Sequence, residues 1–449
     1  MRDMSLPMLA WAAAVFTIVS TGGGGEGSIE GRLTGQLVAA MALVAVLRRP
    51  APATWRWQSS DFFVIGIAAL LLLQLVPLPP AIWTALPGRE LFERGDSLVF
   101  DTLPWRSISL QPAATAYSLI FLLPAFTLYF AYRTGSQDRR MAILTGLAAV
   151  WLFAILLGLL QFAAPSIAPR SFDNAHSVYP VGFFANRNHQ ACFVAMGLPL
   201  LAMMVQRLRE GRRPEDQPIV IAAGLAIALF AVIAVLGTGS RAGLVLILAS
   251  TGLTAAIMFA RSGTAQARMF WPAIIGGGAF MAGIVAIALF GGSRAGTAVS
   301  RLAAEDDPRE EIWAITIDAL QAFWPIGSGG GTYRRALEVF EPVAAIGSRY
   351  INHAHNDVLE LVMEFGILGV AVIVFILGWM GMMVLRARKI APAPAMVIGL
   401  ALVSIAMPLI HSIVDYPLRT AAILTATFLA VAVATNSAQA SPVRRRAKR

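Results

Sequence analysis

The sequence predicts an all-α polytopic membrane protein of about twelve transmembrane helices, with one large loop on the non-cytoplasmic side. Three observations carry that expectation. Of the 449 residues, 57% are hydrophobic and only 13% are charged, whereas soluble domains run about a quarter charged. The apolar residues gather in runs of roughly 20, the length that crosses the hydrocarbon layer as a helix. Lys and Arg are sorted between alternate connectors, as they are in inserted proteins.

The expected spans cover approximately residues 5–20, 34–47, 62–80, 114–132, 141–163, 189–206, 218–237, 242–260, 269–290, 367–385, 396–414 and 418–435. Residues 5–20 resemble a signal peptide but are followed by no convincing small-residue cleavage site, so they are read as an uncleaved first helix. The second span is short for a membrane crossing. With the N-terminus inside, the inner connectors hold 21 of the 35 Lys/Arg and 6 of the 25 Asp/Glu, and the outer connectors hold 14 and 19. The net charge of +10 is therefore a positive-inside asymmetry rather than a nucleic-acid patch. The tail residues Arg444, Arg445, Arg446, Lys448 and Arg449 follow the same rule. Both termini are expected in the cytoplasm, in a multi-pass inner-membrane protein.

Inner connectors such as 133–140, 207–217 and 261–268 are short, and the long segments 81–113, 164–188 and 291–366 all fall outside. Unequal loops of this kind place the work on the outer face. No cytoplasmic soluble domain is expected, and no G-x-x-x-x-G-K-[ST] phosphate loop is present, which argues against a transferase fed by cytoplasmic sugar nucleotides. The single cysteine, Cys192, excludes a disulfide framework or a cysteine metal cage and reads as a packing residue.

The 291–366 loop carries helices of its own. Asp307-Pro308-Arg309-Glu310 reads as an N-cap, a first-turn proline and a capping-box acid, followed by Trp313, Ile317, Leu320 and Trp324 at helical spacing. Pro325 and Gly327 stop that run, and the glycine-rich 326–332 segment reads as a flexible turn. A second helix is expected from His355 to Gly366. Its two stripes would be His355, Leu359, Val362 and Gly366 on one side and Asp357, Glu360 and Glu364 on another. Such amphipathic helices can lie on a membrane surface.

All five histidines (176, 189, 353, 355 and 411) fall on or near the outer side. Imidazole is the natural proton acceptor near neutral pH. His353 and His355 are two apart, so on a helix they point in different directions, and no Asp-x-Asp or His-x-x-x-His spacing supports a metal site. Neither a metal nor any other cofactor is expected. Arg241 stands in Thr238-Gly239-Ser240-Arg241-Ala242-Gly243 with an apolar span on each side. It reads either as a snorkelling arginine at a helix end or as an anion clamp, since guanidinium binds phosphate through two parallel hydrogen bonds. In the second reading the glycines let the backbone approach the same group. The repeat Ser293-Arg294-Ala295-Gly296 is read as coincidence.

Residues 182–189 bring Asn186, Arg187, Asn188 and His189 to a membrane entrance, as a lined polar cavity or as simple interfacial capping. His411 and Asp415 lie near the outer end of the eleventh span. A buried acid there calls for a basic partner, for which the outer arginines are the candidates.

Together these pieces resemble the bacterial O-antigen ligases and their polymerase relatives. The resemblance rests on His355-Asn356, nine residues, then Gly366-Ile367-Leu368-Gly369. It rests also on the Ser-Arg junction at residues 240–241, the Gly182…Asn186-x-Asn188 stretch, and Arg309 followed by Trp313. It spans roughly residues 180–420, and the first third agrees in topology only. Val370 stands where many ligases have threonine, which leaves polymerase open beside ligase.

The resemblance implies a membrane-embedded glycosyltransferase. Such an enzyme moves a glycan from undecaprenyl diphosphate onto a sugar or lipid-A-core acceptor at the periplasmic face of the bacterial inner membrane. Membrane lipids and polysaccharide-assembly proteins would be its partners, with no nucleic acid. It implies a metal-independent, inverting reaction, with His355 as catalytic base, Arg241 as the main diphosphate clamp and Arg187 and Arg309 as second candidates. Asn356, Asn186 and Asp415 would support them. The chain then divides into about five N-terminal spans over 1–180, a ligase-like core over 181–435 that includes the 291–366 loop, and a basic tail over 436–449. Two rivals are weighed: protein O-glycosylation by the same chemistry, and a lipid-linked-glycan transporter. A transporter is expected to carry midplane charges and an internal repeat, neither of which the sequence shows.

Overall fold

The computed structural model describes residues 29–48, 55–170, 179–260, 309–343 and 350–439. The expected spans 5–20 and 269–290, His176, the Ser293-to-Gly296 repeat, the Asp307-Pro308 cap and the basic tail from Arg444 lie outside the described residues.

The fold is helical. Its elements are α1 (Ile29–Leu47), α2 (Ser59–Gln74), the short α3 (Pro80–Trp83) and α4 (Glu90–Ser97), then α5 (Pro112–Phe121), α6 (Leu123–Thr134) and α7 (Gln137–Ala163). There follow α8 (Arg187–Glu210), α9 (Gln217–Gly237), α10 (Arg241–Phe259), α11 (Arg309–Phe323), α12 (Tyr333–Leu337) and α13 (Asp357–Phe365). The chain ends in α14 (Ile367–Ala387), α15 (Pro392–His411) and α16 (Ala421–Ser437). Among the described residues, seven helices are long and apolar enough to cross a membrane, with α5 and α6 counted as one crossing, and α2, α16 and the 35–47 part of α1 are shorter apolar helices. These coincide with the expected spans. The third is corrected: α2 ends at Gln74, because the chain then turns into the strand Pro77–Leu78, paired antiparallel with Arg106–Ser107.

α8 is the central element, packed by α9, α10 and α15, and its residues from His189 to Leu200 are buried without a break. A helix apolar on every side belongs in the interior of such a bundle. The outer helices expose their apolar faces instead, with Leu225 64% and Val374 63% exposed, which suits a hydrocarbon surrounding. Close packing rests on small residues. A Cβ at Gly243 would meet the Ala191 Cβ at 2.5 Å, so this glycine lets α10 lie against α8.

One end of the bundle is tied by a buried ion pair. Arg133 grips both oxygens of Asp61 at 2.9 and 2.7 Å and reaches Asn436 Oδ1 at 2.8 Å, joining α2, α6 and α16. At the opposite end the glycine-rich 326–332 segment is a packed strap rather than the expected flexible turn. Gly330 N–H donates to Gln74 Oε1 at 2.8 Å, Thr115 Oγ1 donates to the Gly330 carbonyl at 2.7 Å, and Gly329 N–H donates to the Glu364 carbonyl at 2.9 Å. Gly327, Gly329 and Gly331 all have positive φ, the backbone region that glycine enters at no steric cost. The strap locks the loop helices to the ends of α2 and α5.

Candidate active site

The site forms where the first turn of α8, the last turn of α15, the 353–357 turn and the 412–419 turn meet. Each piece is placed by a local rule. Asn186 caps α8, its side chain accepting from Asn188 N–H at 2.8 Å, and this fixes the first turn that carries Asn188 and His189. Upstream, Gln161 on α7 accepts from Val181 and Gly182 N–H at 2.8 Å each, anchoring the approach. The 182–189 stretch therefore caps the helix, as one of its two expected readings had it. Asn186 is the cap and Asn188 enters the site.

The signature of His-Asn, nine residues and Gly-x-x-Gly has a direct physical meaning. Asn356 is the N-cap of α13, accepting from Val358 and Leu359 N–H at 3.0 and 3.1 Å. The nine residues are α13 itself. Gly366 follows at φ 57°, ψ −133°, which side chains avoid, and a Cβ there would lie 1.9 Å from the Pro325 carbonyl oxygen. Gly369 lets the next span pass the Leu361 carbonyl.

His355 is therefore not the first residue of that helix, as expected, but stands before its cap. It has φ 49°, the left-handed region that histidine visits more readily than most residues. This backbone turns its ring onto Asp415, Nδ1 lying 3.3 Å from Oδ1, while the side chain stays 30% exposed. The turn is held from outside by Trp313 on α11, whose indole N–H donates to the Ala354 carbonyl at 2.9 Å. It is held from inside by Glu360, which bonds His353 Nδ1 at 2.9 Å and accepts from Ala354 N–H at 3.1 Å.

Asp415 is fully buried and collects side chains from across the chain. Besides His355, Asn188 Nδ2 donates to its Oδ2 at 2.8 Å, and the Nε2 atoms of His189 and His411 both lie at 3.7 Å, within ion-pair range but beyond hydrogen-bond distance. Its basic partners are thus imidazoles rather than the expected arginines. Burial pushes the carboxyl pKa up, but the imidazoles of His189 and His355 outweigh it and hold Asp415 well below the usual carboxylate range. An ionised Asp415 only accepts, so His355 Nδ1 is the donor in that contact. Tyr416 packs between the rings, its centroid 4.2 Å from that of His353, 4.9 Å from His189 and 5.0 Å from His355.

Beside this cluster, α13 turns its Asp357, Glu360 and Glu364 stripe inward, onto Arg419, rather than lying free on a surface. The guanidinium reaches them at 3.6, 3.1 and 2.8 Å respectively. Burial raises Asp357 to about 7, assisted by the neighbouring Glu360 charge, and raises Glu364 as well. Glu360 is also buried, yet Arg419 and His353 together hold it below its ordinary value. Arg419, Tyr416, Glu360 and His189 are functional neighbours that the sequence reading left unassigned. Arg419 was signalled only by a charge in Pro417-Leu418-Arg419 at the mouth of an apolar helix.

The expected arginines are placed as follows. Arg241 opens α10 with its side chain exposed and no carboxylate partner among the described residues. Of its glycines, Gly239 supplies the positive φ of the turn and Gly243 the contact with α8. Ser240 caps α10, accepting from Gly243 N–H at 3.0 Å. Arg309 begins α11, close enough for its charge to act on His411. Arg187 stacks over Tyr179 at 4.0 Å from the ring centroid. Among the described residues no three His, Cys, Asp or Glu side chains share a metal-binding geometry.

A family model described as O-antigen ligase matches residues 225–374. No curated protein matches the chain. The matched segment includes Arg241, Trp313, His355 and the capped α13, while His189, His411, Asp415 and Arg419 complete the site from outside it. Over residues 225–374, a third of its length, the chain is thus similar to the O-antigen ligases.

Proposed function

We infer that this chain transfers a glycan from undecaprenyl diphosphate to an acceptor sugar hydroxyl at the periplasmic face of the inner membrane, as a polysaccharide ligase or polymerase. The observation that carries the reading is the His355–Asp415 contact at 3.3 Å, which orients a partly exposed imidazole with one nitrogen open. In the reaction the acceptor oxygen forms the new bond to the anomeric carbon as the bond to the diphosphate oxygen breaks. The acceptor proton passes to His355 Nε2, and the leaving diphosphate carries its charge away. One such displacement inverts the anomeric centre and needs no covalent intermediate. Arg241, exposed at the same end, is the first candidate to hold the diphosphate, with Arg309 and Arg187 behind it. Fixed cations in a site of low dielectric stabilise a developing anion without reorganising.

The positive-inside pattern supports a periplasmic site with cytoplasmic termini. The reading includes the division into an N-terminal helical region, a ligase-like core and a basic tail. It includes metal independence, since the imidazoles surround a carboxylate that they already pair. Gene deletion followed by gel analysis of surface glycans tests it. Single-repeat lipopolysaccharide indicates a polymerase, and carrier-linked chains missing from lipid A core indicate a ligase. An unchanged profile, or full activity of His355→Ala, overturns the reading, and loss of activity in excess chelator that a divalent ion restores removes its metal-independent part.

A further inference from the structure

Leu98, Val99 and Phe100 follow one another at the tip just after α4, all three exposed, the first two to 87% and 73%. A run of bare apolar side chains marks a surface that meets something other than water. The tip is not loose, because it stands on a fixed base. Val99 and Phe100 N–H both donate to the Asp96 carbonyl, at 3.0 and 2.9 Å. Arg106 grips both oxygens of the Asp96 carboxylate, and the Trp83 indole N–H donates to the Pro104 carbonyl at 2.9 Å. At the root, Arg89 donates to the carbonyls of Ile108 at 2.6 Å and Gly327 at 3.1 Å, which bonds the 81–113 segment to the glycine-rich strap.

We propose that this tip is a membrane anchor, with Leu98, Val99 and Phe100 seated in the boundary between lipid headgroups and acyl chains at the end of the bundle that carries the site. Continuity of the apolar surface identifies lipid as the occupant. Leu72 and Val76 at the end of the apolar helix α2 are exposed, and so is Ile82 on α3. The pairing of Leu78 with Arg106 then brings the exposed Trp105 back to the same end of α2. Tryptophan favours the headgroup level, where its ring is half in oil and half in water. That end of α2 is the site's end, because Gln74 donates to the Glu364 carbonyl at 3.1 Å and accepts from Gly330 N–H. Asp101, directly after the tip, and Glu93 on α4 limit the depth, since carboxylates stay in water and hold the apolar residues to a shallow insertion of about 5–10 Å. The same acids make apolar burial, rather than attraction to anionic headgroups, the force that seats the tip. Through Arg89 the seated tip is bonded to the strap, so it fixes the height of the loop helices over the bilayer.

The test puts a fluorescent probe on the tip. Cys192 is buried, so bimane attached to Val99→Cys reports from one position of the full chain in phosphatidylcholine vesicles. Leu225→Cys, on the exposed apolar face of α9, and Arg213→Cys, in the exposed 211–216 connector, give the lipid and water limits. Phosphatidylcholine brominated on its acyl chains should quench the label at 99 to at least about half the extent found at 225, and iodide should quench it at least about threefold less than at 213. Iodide quenching as strong as at 213 would put the tip in water and overturn the proposal. Shielding from both quenchers would overturn it as well, since a second copy or another protein would then cover the patch. Leu98→Cys, at the more exposed neighbour, gives the same reading where the Val99 variant does not yield folded protein. None of these outcomes depends on glycan transfer.

Discussion

Arg419 Nη2 donates to Glu364 Oε2 at 2.8 Å while its Nε lies 3.1 Å from Glu360. This one guanidinium joins the turn before α16 to the acidic stripe of α13, and through Glu360 to the His353–Ala354 backbone that presents His355. The acids of the loop helix are not a solvated face. They are the inner wall of the site.

Arg419→Met should therefore destabilise the protein by about 3–5 kcal/mol, since it deprives the buried carboxyls of Asp357, Glu360 and Glu364 of the guanidinium they share. The measurement is thermal unfolding in detergent. A variant within 0.5 kcal/mol of the parent (roughly the spread of surface substitutions) would show that the carboxyls are not held by this charge.

Activity should depend on the His355–Asp415 contact more than on any other. His355→Ala is expected to lower transfer by about 10²–10⁴-fold, the usual worth of a positioned proton acceptor. Asp415→Asn should cause a comparable loss, because an amide can donate to Nδ1 and favour the wrong tautomer. Both are to be assayed at equal amounts of inserted protein.

At Arg241 the two readings, clamp and snorkelling cation, separate cleanly. If the guanidinium holds a diphosphate, Arg241→Ala costs about 10²–10³-fold in transfer, and Arg241→Lys recovers little because an ammonium lacks the forked geometry. Near-normal activity of the lysine variant would assign Arg241 to the membrane interface.

Gly243→Ala should destabilise by about 1–3 kcal/mol through overpacking, as the new methyl meets Ala191 and pushes α10 from α8. Gly252 on the same helix has nothing within 4 Å of a Cβ, so Gly252→Ala should be neutral or better. Equal melting temperatures for the two variants would refute the contact.

Stability should also carry a pH signature from Asp357. Its folded carboxyl is raised to about 7 by burial, against about 3.9 for the unfolded chain. Between those values the folded protein holds a proton that the unfolded chain has released. This group's contribution is therefore full below about pH 4 and is lost as pH climbs through 7. The melting temperature of Asp357→Asn relative to the parent should rise between pH 5 and pH 8, approaching a few kcal/mol in stability. A constant difference would mean that Asp357 is ionised throughout.

The sequence by itself determined the helices that can cross a membrane, because a long apolar run has few ways to satisfy its backbone other than as a helix. It also held the His-Asn and Gly-x-x-Gly spacing, whose meaning is local: a cap, a nine-residue helix and a glycine turn. The tertiary structure decided what each charge is for. Asn188 meets Asp415 across 227 positions and His355 meets it across 60, so no window along the chain could pair them. Asp415 was legible as a buried acid in want of a base, but the helix packing chose histidines for it and gave Arg419 to α13. Pairing of buried charges depends on which helix ends converge, and that follows from the close packing of α8 with its neighbours rather than from the order of residues in any one of them.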